Sequence, residues 1–150
     1  MPRKTPEELN EARRLKAEQQ RRDEAEAAAQ WEEDQRLHRE LMEREQELKQ
    51  QHAALENYVN GIYDEVSKLS NKRSTEAMSE RMVNRSNRAI RSAQELLKAE
   101  NDPFIDEIEI FIEAGDDIEA RDVVLTLRQV KDALGRMKSR HDKIWNPRLY

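Results

Sequence analysis

A chain of 150 residues with 39% charged and 5% aromatic side chains, three glycines and four prolines has little material for turns. Such a makeup points to long helices and away from a mixed sheet fold. The lack of cysteine excludes disulfides, thiol nucleophiles and thiolate metal sites, and a net charge of −5 argues against wholesale coating of nucleic acid.

The opening residues MPRKTPEELNEARR lack the apolar core of a signal peptide, and no window is apolar enough to span a bilayer. The expectation is a soluble, cytoplasmic protein with no membrane contact. Charge is distributed in blocks. Residues 1–22 carry seven basic against four acidic side chains, and residues 23–34 none against six. Residues 70–99 carry seven against three, residues 100–122 one against ten, and residues 123–150 seven against two.

Up to Trp31 the only large aliphatic residues after Met1 are Leu9 and Leu15. This segment has helix propensity but nothing to bury, which predicts a solvated or fraying helix from about Pro6. Arg13, Arg14, Lys16, Arg21 and Arg22 invite a basic-zipper reading, but six acids in residues 23–34 stand where the fork would meet DNA.

From Leu41 an apolar residue recurs at every seventh position: Leu41, Leu48, Leu55, Ile62 and Leu69. Taken as heptad position d, they place His38, Glu45, His52, Val59 and Val66 at a. One apolar row therefore precedes Leu55 and two follow it, so a complete seam is predicted only from Leu55 to Leu69. Asn60 and Gly61 fall at the outer positions b and c while the register continues through them. The pattern predicts one unbroken helix with a soft spot, costing about 1 kcal/mol for the glycine.

Ser70–Ser74 is the first credible break, with Ser74 or Thr75 as cap of a second helix reaching about Ala99. Met78, Met82, Ala89, Ala93, Leu96 and Leu97 form its apolar arc, widened by Val83 and Ile90. Asp102-Pro103 predicts a third helix, carrying Phe104, Ile105, Ile108, Phe111 and Ile112 and stopping at Gly115. Asp116 with Glu119 resembles a capping box for a last helix. There Val123, Val130, Met137 and Ile144 take position a, and Leu127, Leu134 and His141 position d.

Chemical motifs are scarce. No phosphate loop, no nucleophile elbow and no paired histidines at metal spacing occur. The acids of EAGDDIEARD lack the spacing and internal glycine of a calcium loop. No cofactor and no metal are expected. At 100° per residue Arg81, Arg85 and Arg88 cluster opposite the apolar arc, flanked by Asn84 and Arg91. Such a row could contact phosphates or an acidic protein surface, or pair internally with the acidic residues 100–122.

Arg136-Met-Lys-Ser-Arg-His141 resembles the Arg-x4-His signature of the HEPN-type helical ribonucleases. The resemblance covers six residues and implies cleavage of an RNA phosphodiester by His141 with Arg136 across a dimer. Because His141 also falls on the apolar seam, a packing role is the reading preferred.

The organisation expected is all-α. A long, partly coiled-coil N-terminal helix leads into a small antiparallel bundle of about four helices. Residues 1–54 would form a charged helical arm, loosely ordered or a weak coiled coil, 55–145 the bundle, and 146–150 a tail. The function expected is a non-enzymatic protein-protein interaction protein, an adaptor or accessory subunit with an unidentified protein partner. It would associate with itself as a homo-oligomer, a dimer being favoured. The seam would comprise Leu41, Leu48, Leu55, Val59, Ile62, Val66 and Leu69 with Val123, Leu127, Val130, Leu134 and Met137. Nucleic-acid binding through Arg81, Arg85 and Arg88 is the first alternative, and the ribonuclease reading the second.

Overall fold

The structure is a computed structural model describing residues 2–111 and 118–149. Among these are three α-helices and no strand: α1 (Pro6–Lys72), α2 (Glu80–Leu96) and α3 (Ala120–Trp145), with 3-10 turns at Lys98–Glu100, Ile105–Glu107 and Pro147–Leu149. The fold is all-α, as the patterning predicts. No described helix is long and apolar enough to cross a membrane. The chain forms two compact units, Met1–Arg44 and Glu45–Tyr150.

The first unit is helical from Pro6. Thr5 caps it in both directions: its hydroxyl accepts from the Glu8 amide at 3.3 Å, and its own amide donates to the Glu8 carboxylate at 3.1 Å. Beyond the cap, the helix has almost no buried surface, and nearly every described side chain to Arg44 is exposed. It is held instead by neighbours one turn apart, such as Arg14 with Glu11 and Glu18, Gln30 with Asp34, and Arg36 with Glu33 and Glu40. Each such pair is worth only about 0.2–0.5 kcal/mol, so many are needed.

α1 is unbroken through Asn60-Gly61, as the kept register predicts. Gly61 is exposed, and a Cβ built there meets nothing within 4 Å. Gly61→Ala should therefore stabilise the fold by about 0.8–1 kcal/mol through backbone entropy alone. Chemical denaturation measures this directly. No change, or a loss, would mean that the helix is not continuous there.

The second unit is a bundle of the C-terminal part of α1 with α2 and α3. Lys49 donates to the Trp145 carbonyl at 3.0 Å, His52 to the Leu134 carbonyl at 2.8 Å, and Arg128 to the Tyr63 hydroxyl at 3.1 Å, so α1 runs antiparallel to α3. α2 and α3 instead run parallel. At one end the Ala120 amide donates to the Glu76 carbonyl at 3.0 Å and the Met78 amide to the Ile118 carbonyl at 2.8 Å. At the other, Arg140 donates to Glu100 at 2.9 Å.

Val59, Ile62 and Val66 of α1, Val83, Ala89, Ile90 and Ala93 of α2, and Val123, Leu127, Val130, Leu134 and Met137 of α3 are all buried in one core. Leu48, Leu55 and Leu69 are half-buried at its edge, and Leu41 is 53% exposed. The centre of the buried stripe of α1 thus lies nearer the a row, at Val59 and Val66, than along the row of leucines.

Three expectations are corrected. α2 begins at Glu80, after a Ser79 cap whose hydroxyl accepts from the Met82 amide at 3.2 Å, and not at Ser74 or Thr75. The intervening residues pair with the entry to α3, and that tertiary pairing displaces the local cap. The cap of α3 is Glu119, in a box with Asp122. The expected cap Asp116 lies outside the described residues.

The third correction is the helix expected from Asp102-Pro103 onward, which is absent among the described residues. Residues 101–111 hold one 3-10 turn in an otherwise irregular strap; Ile112 and Gly115 lie outside the described residues. Because α2 and α3 are parallel, the chain must return along the length of α2, whose 17 residues rise about 25 Å. Asn101, in the left-handed region with φ 53°, starts the return. Side chains of α2 then supply the hydrogen bonds that a helix would have made internally. Gln94 donates to the carbonyls of Ile105 and Ile108 at 3.3 and 2.7 Å. Asn87 donates to the Phe111 carbonyl at 2.5 Å and accepts from its amide at 2.7 Å. Buried Ile105 and Ile108 hold the strap on the core.

Candidate functional site

α2 is strongly amphipathic. Its apolar arc faces the core, so the arginines on the opposite face are carried outward. Arg81, Arg88 and Arg91 are exposed and make no ion pair or hydrogen bond among the described residues. Arg85 is half-buried and bonds to Glu65 of α1 at 3.1 Å. Arg81, Asn84, Arg85 and Arg88 line a shallow groove of about 450 Å³, completed by Glu80 and by Tyr58 of α1. The Tyr58 hydroxyl donates to the Arg85 carbonyl at 3.4 Å. Helical rise separates Arg81 from Arg88 by about 10 Å, enough for several anionic groups in a row.

Two acids of the segment that the sequence offered as an internal partner for this row are engaged elsewhere. Glu100 and Asp102, of the acidic segment, face α3 instead. Asp102 is 1% exposed and takes a bidentate fork from Arg136, with Nε donating at 2.8 Å and Nη2 at 3.1 Å. It also accepts from the Phe104 amide at 3.0 Å, and Arg140 stands 3.9 Å away. Arg136 holds the Asp102 carboxyl below its ordinary pKa against the opposing effect of burial, with the Phe104 amide assisting.

His141 sits between two carboxylates, donating from Nδ1 to Glu45 at 2.9 Å and from Nε2 to Glu100 at 2.6 Å. Its ring stacks on Trp145, with centroids 5.0 Å apart, and the Trp145 indole donates to the same Glu45 oxygen at 3.0 Å. Burial alone would lower the His141 pKa. The hydrogen bonds to Glu100 and Glu45 and the charges behind them outweigh it, so the pKa is raised. A ring that donates from both nitrogens is an imidazolium. With His141 charged, Glu45, Glu100 and Asp102 are balanced by Arg136, Arg140 and His141.

These contacts bear on the ribonuclease resemblance. Arg136 is committed to Asp102, and His141 has both nitrogens bound to carboxylates, which leaves no lone pair to accept a proton from a ribose hydroxyl. The pair is arranged as a strut between the strap, α1 and α3. His52 also has a structural task, donating its Nε2 proton to the Leu134 carbonyl from a buried a position. His38 is exposed. No cluster of His, Asp and Glu suited to a metal ion exists among the described residues.

The residues expected to form a partner seam are divided. Val59, Ile62, Val66, Val123, Leu127, Val130, Leu134 and Met137 pack against one another within this chain. They are therefore covered already, and Leu41 alone of the set is exposed. Sequence reasoning passed over Glu45, Glu100, Asp102, Arg140 and Trp145. One signal was there: Glu45 and His52 occupy a positions, where a polar side chain facing the core demands a buried partner. Comparison with protein-family models, with curated proteins and with solved structures finds no match to this chain.

Proposed function

We propose that this chain is a non-enzymatic helical interaction protein, an adaptor or accessory subunit, that binds an acidic protein partner through the outer face of α2. One observation supports the reading above others: Arg81, Arg88 and Arg91 stand exposed without acidic partners, whereas Arg85, Arg136 and Arg140 are each paired to a carboxylate. Three guanidinium groups along one helix face favour any surface that presents spaced carboxylates. Cytoplasmic residence remains part of the proposal, in keeping with a chain that has no cysteine.

Nucleic-acid binding is the second reading, because the same guanidinium row suits phosphates. It would rest on the phosphates and not on base stacking, since α2 carries no aromatic between the arginines. The test is fluorescence anisotropy with a labelled polyglutamate peptide and a labelled DNA duplex, against the native chain and the triple variant Arg81→Glu, Arg88→Glu, Arg91→Glu. Salt-sensitive binding of the peptide that the variant loses supports the proposal. Binding of the duplex alone moves the assignment to nucleic acid. If neither probe binds, or the variant binds as well as the native chain, the α2 face is not an anion site.

A further inference from the structure

The first unit carries features that a merely solvated helix does not need. Trp31 is 64% exposed, and Leu9, Leu15, Leu37 and Leu41 are also largely uncovered. At 100° per residue, Leu9, Ala12, Asp23, Ala27, Leu37 and Leu41 fall on one side, with Leu15 and Trp31 at its two margins. Leu9 and Leu37 stand equally far on either side of Asp23, as do Leu15 and Trp31.

Charge has the same layout about the same centre. Residues 13–22 include Arg13, Arg14, Lys16, Arg21 and Arg22, and residues 23–34 carry six acids and no base. Among the described residues of the first unit only Arg14 and Arg36 are the bases of ion pairs, leaving Arg13, Lys16, Arg21 and Arg22 on one side and Glu26 and Glu32 on the other without ionic partners. Two such helices side by side and parallel would oppose like blocks. Antiparallel, they oppose the basic block of each to the acidic block of the other.

We infer that residues 2–44 are a self-complementary docking surface whose occupant is a second copy of the same segment, antiparallel, with the two-fold axis near Asp23. A two-fold contact of this kind is isologous, so the same side chains serve both partners. Leu9 then lies level with the partner copy's Leu37, and Leu15 with its Trp31, while the small Ala12 and Ala27 let the backbones approach. Charge selects the orientation and the apolar residues supply the contact area. The surface is separate from the α2 face, so either proposal can fail without the other.

A chain without native cysteine allows a direct test by single introduced thiols. Under mild oxidation Asp23→Cys should give a disulfide-linked dimer. Leu9→Cys alone should not cross-link, but an equimolar mixture of Leu9→Cys and Leu37→Cys should. Trp31→Ala should weaken self-association, read by sedimentation, on the order of tenfold, as expected when a contact loses its one large aromatic side chain. The melting of the bundle should be unchanged in that variant. Self-cross-linking of Leu9→Cys and Leu37→Cys separately would mean a parallel pair and overturns the inference. A monomer at micromolar concentration, or an unaltered dimer in Trp31→Ala, overturns it too.

Discussion

Ile62→Ala should lower the stability of the bundle by about 2–5 kcal/mol, while Leu41→Ala, in the same heptad row, should change it by less than about 0.5 kcal/mol. Both residues occupy position d of one helix, yet Ile62 is fully buried and Leu41 is 53% exposed. Truncating Ile62 removes apolar surface from water-free contact and leaves a cavity lined by a core shared with α2 and α3. Truncating Leu41 leaves no cavity, because its neighbours are solvent. Urea denaturation at low protein concentration, where association between copies is negligible, separates the two. Equal losses would show that the upstream leucines are packed as firmly as the downstream ones.

Asp102→Ala should cost about 2–3 kcal/mol near neutral pH, with a pH dependence opposite in sign to that of His141. The carboxylate is almost wholly buried and accepts from Arg136 and from the Phe104 amide. The Arg136 guanidinium, 39% exposed, keeps part of its hydration, which holds the loss below that of a fully buried pair. Because the Asp102 pKa is depressed on folding, its contribution is present above the ordinary carboxylate range and is lost as pH falls through the depressed value. The gap between native and Asp102→Ala proteins should close in acid.

His141 works in the other direction. Its pKa is raised on folding, so its contribution is complete below the ordinary imidazole value of about 6.5 and fades as pH rises through the raised one. His141→Gln should therefore differ most from the native chain on the mildly acidic side and least in alkali. Stability of the pair of variants, followed by thermal melts across pH, checks both signs. A His141→Gln defect that grows with pH would rule out the imidazolium bridge between Glu45 and Glu100.

These two experiments also mark how far the residues could be read in one dimension. Helix α1, its passage through Asn60-Gly61, the apolar arc of α2 and the heptads of α3 were legible, since each follows from spacing within one element. The irregular strap was not. Ile105, Ile108 and Phe111 keep helical spacing, but their backbone groups are claimed by Asn87 and Gln94, two amides with no distinguishing mark in the sequence. The ionic strut was equally hidden, because Glu45, Glu100 and His141 come together only when three separate segments meet.

The arm and the bundle therefore differ in what specifies them. In residues 2–44 local terms dominate: helix propensity, a cap at Thr5 and pairs one turn apart, all readable in the order of the amino acids. From Glu45 onward the same local rules leave open which heptads meet and whether α2 and α3 run parallel. Those choices rest on non-local contacts, the pairing of residues 74–78 with 118–121, the fork of Arg136 on Asp102 and the bond of Arg140 to Glu100. Burial of one shared core makes them decisive, because each covered side chain is worth about 1.5–3 kcal/mol, several times a surface pair. For that reason the leucine row of α1 becomes the rim of a core in its downstream half and a free surface upstream.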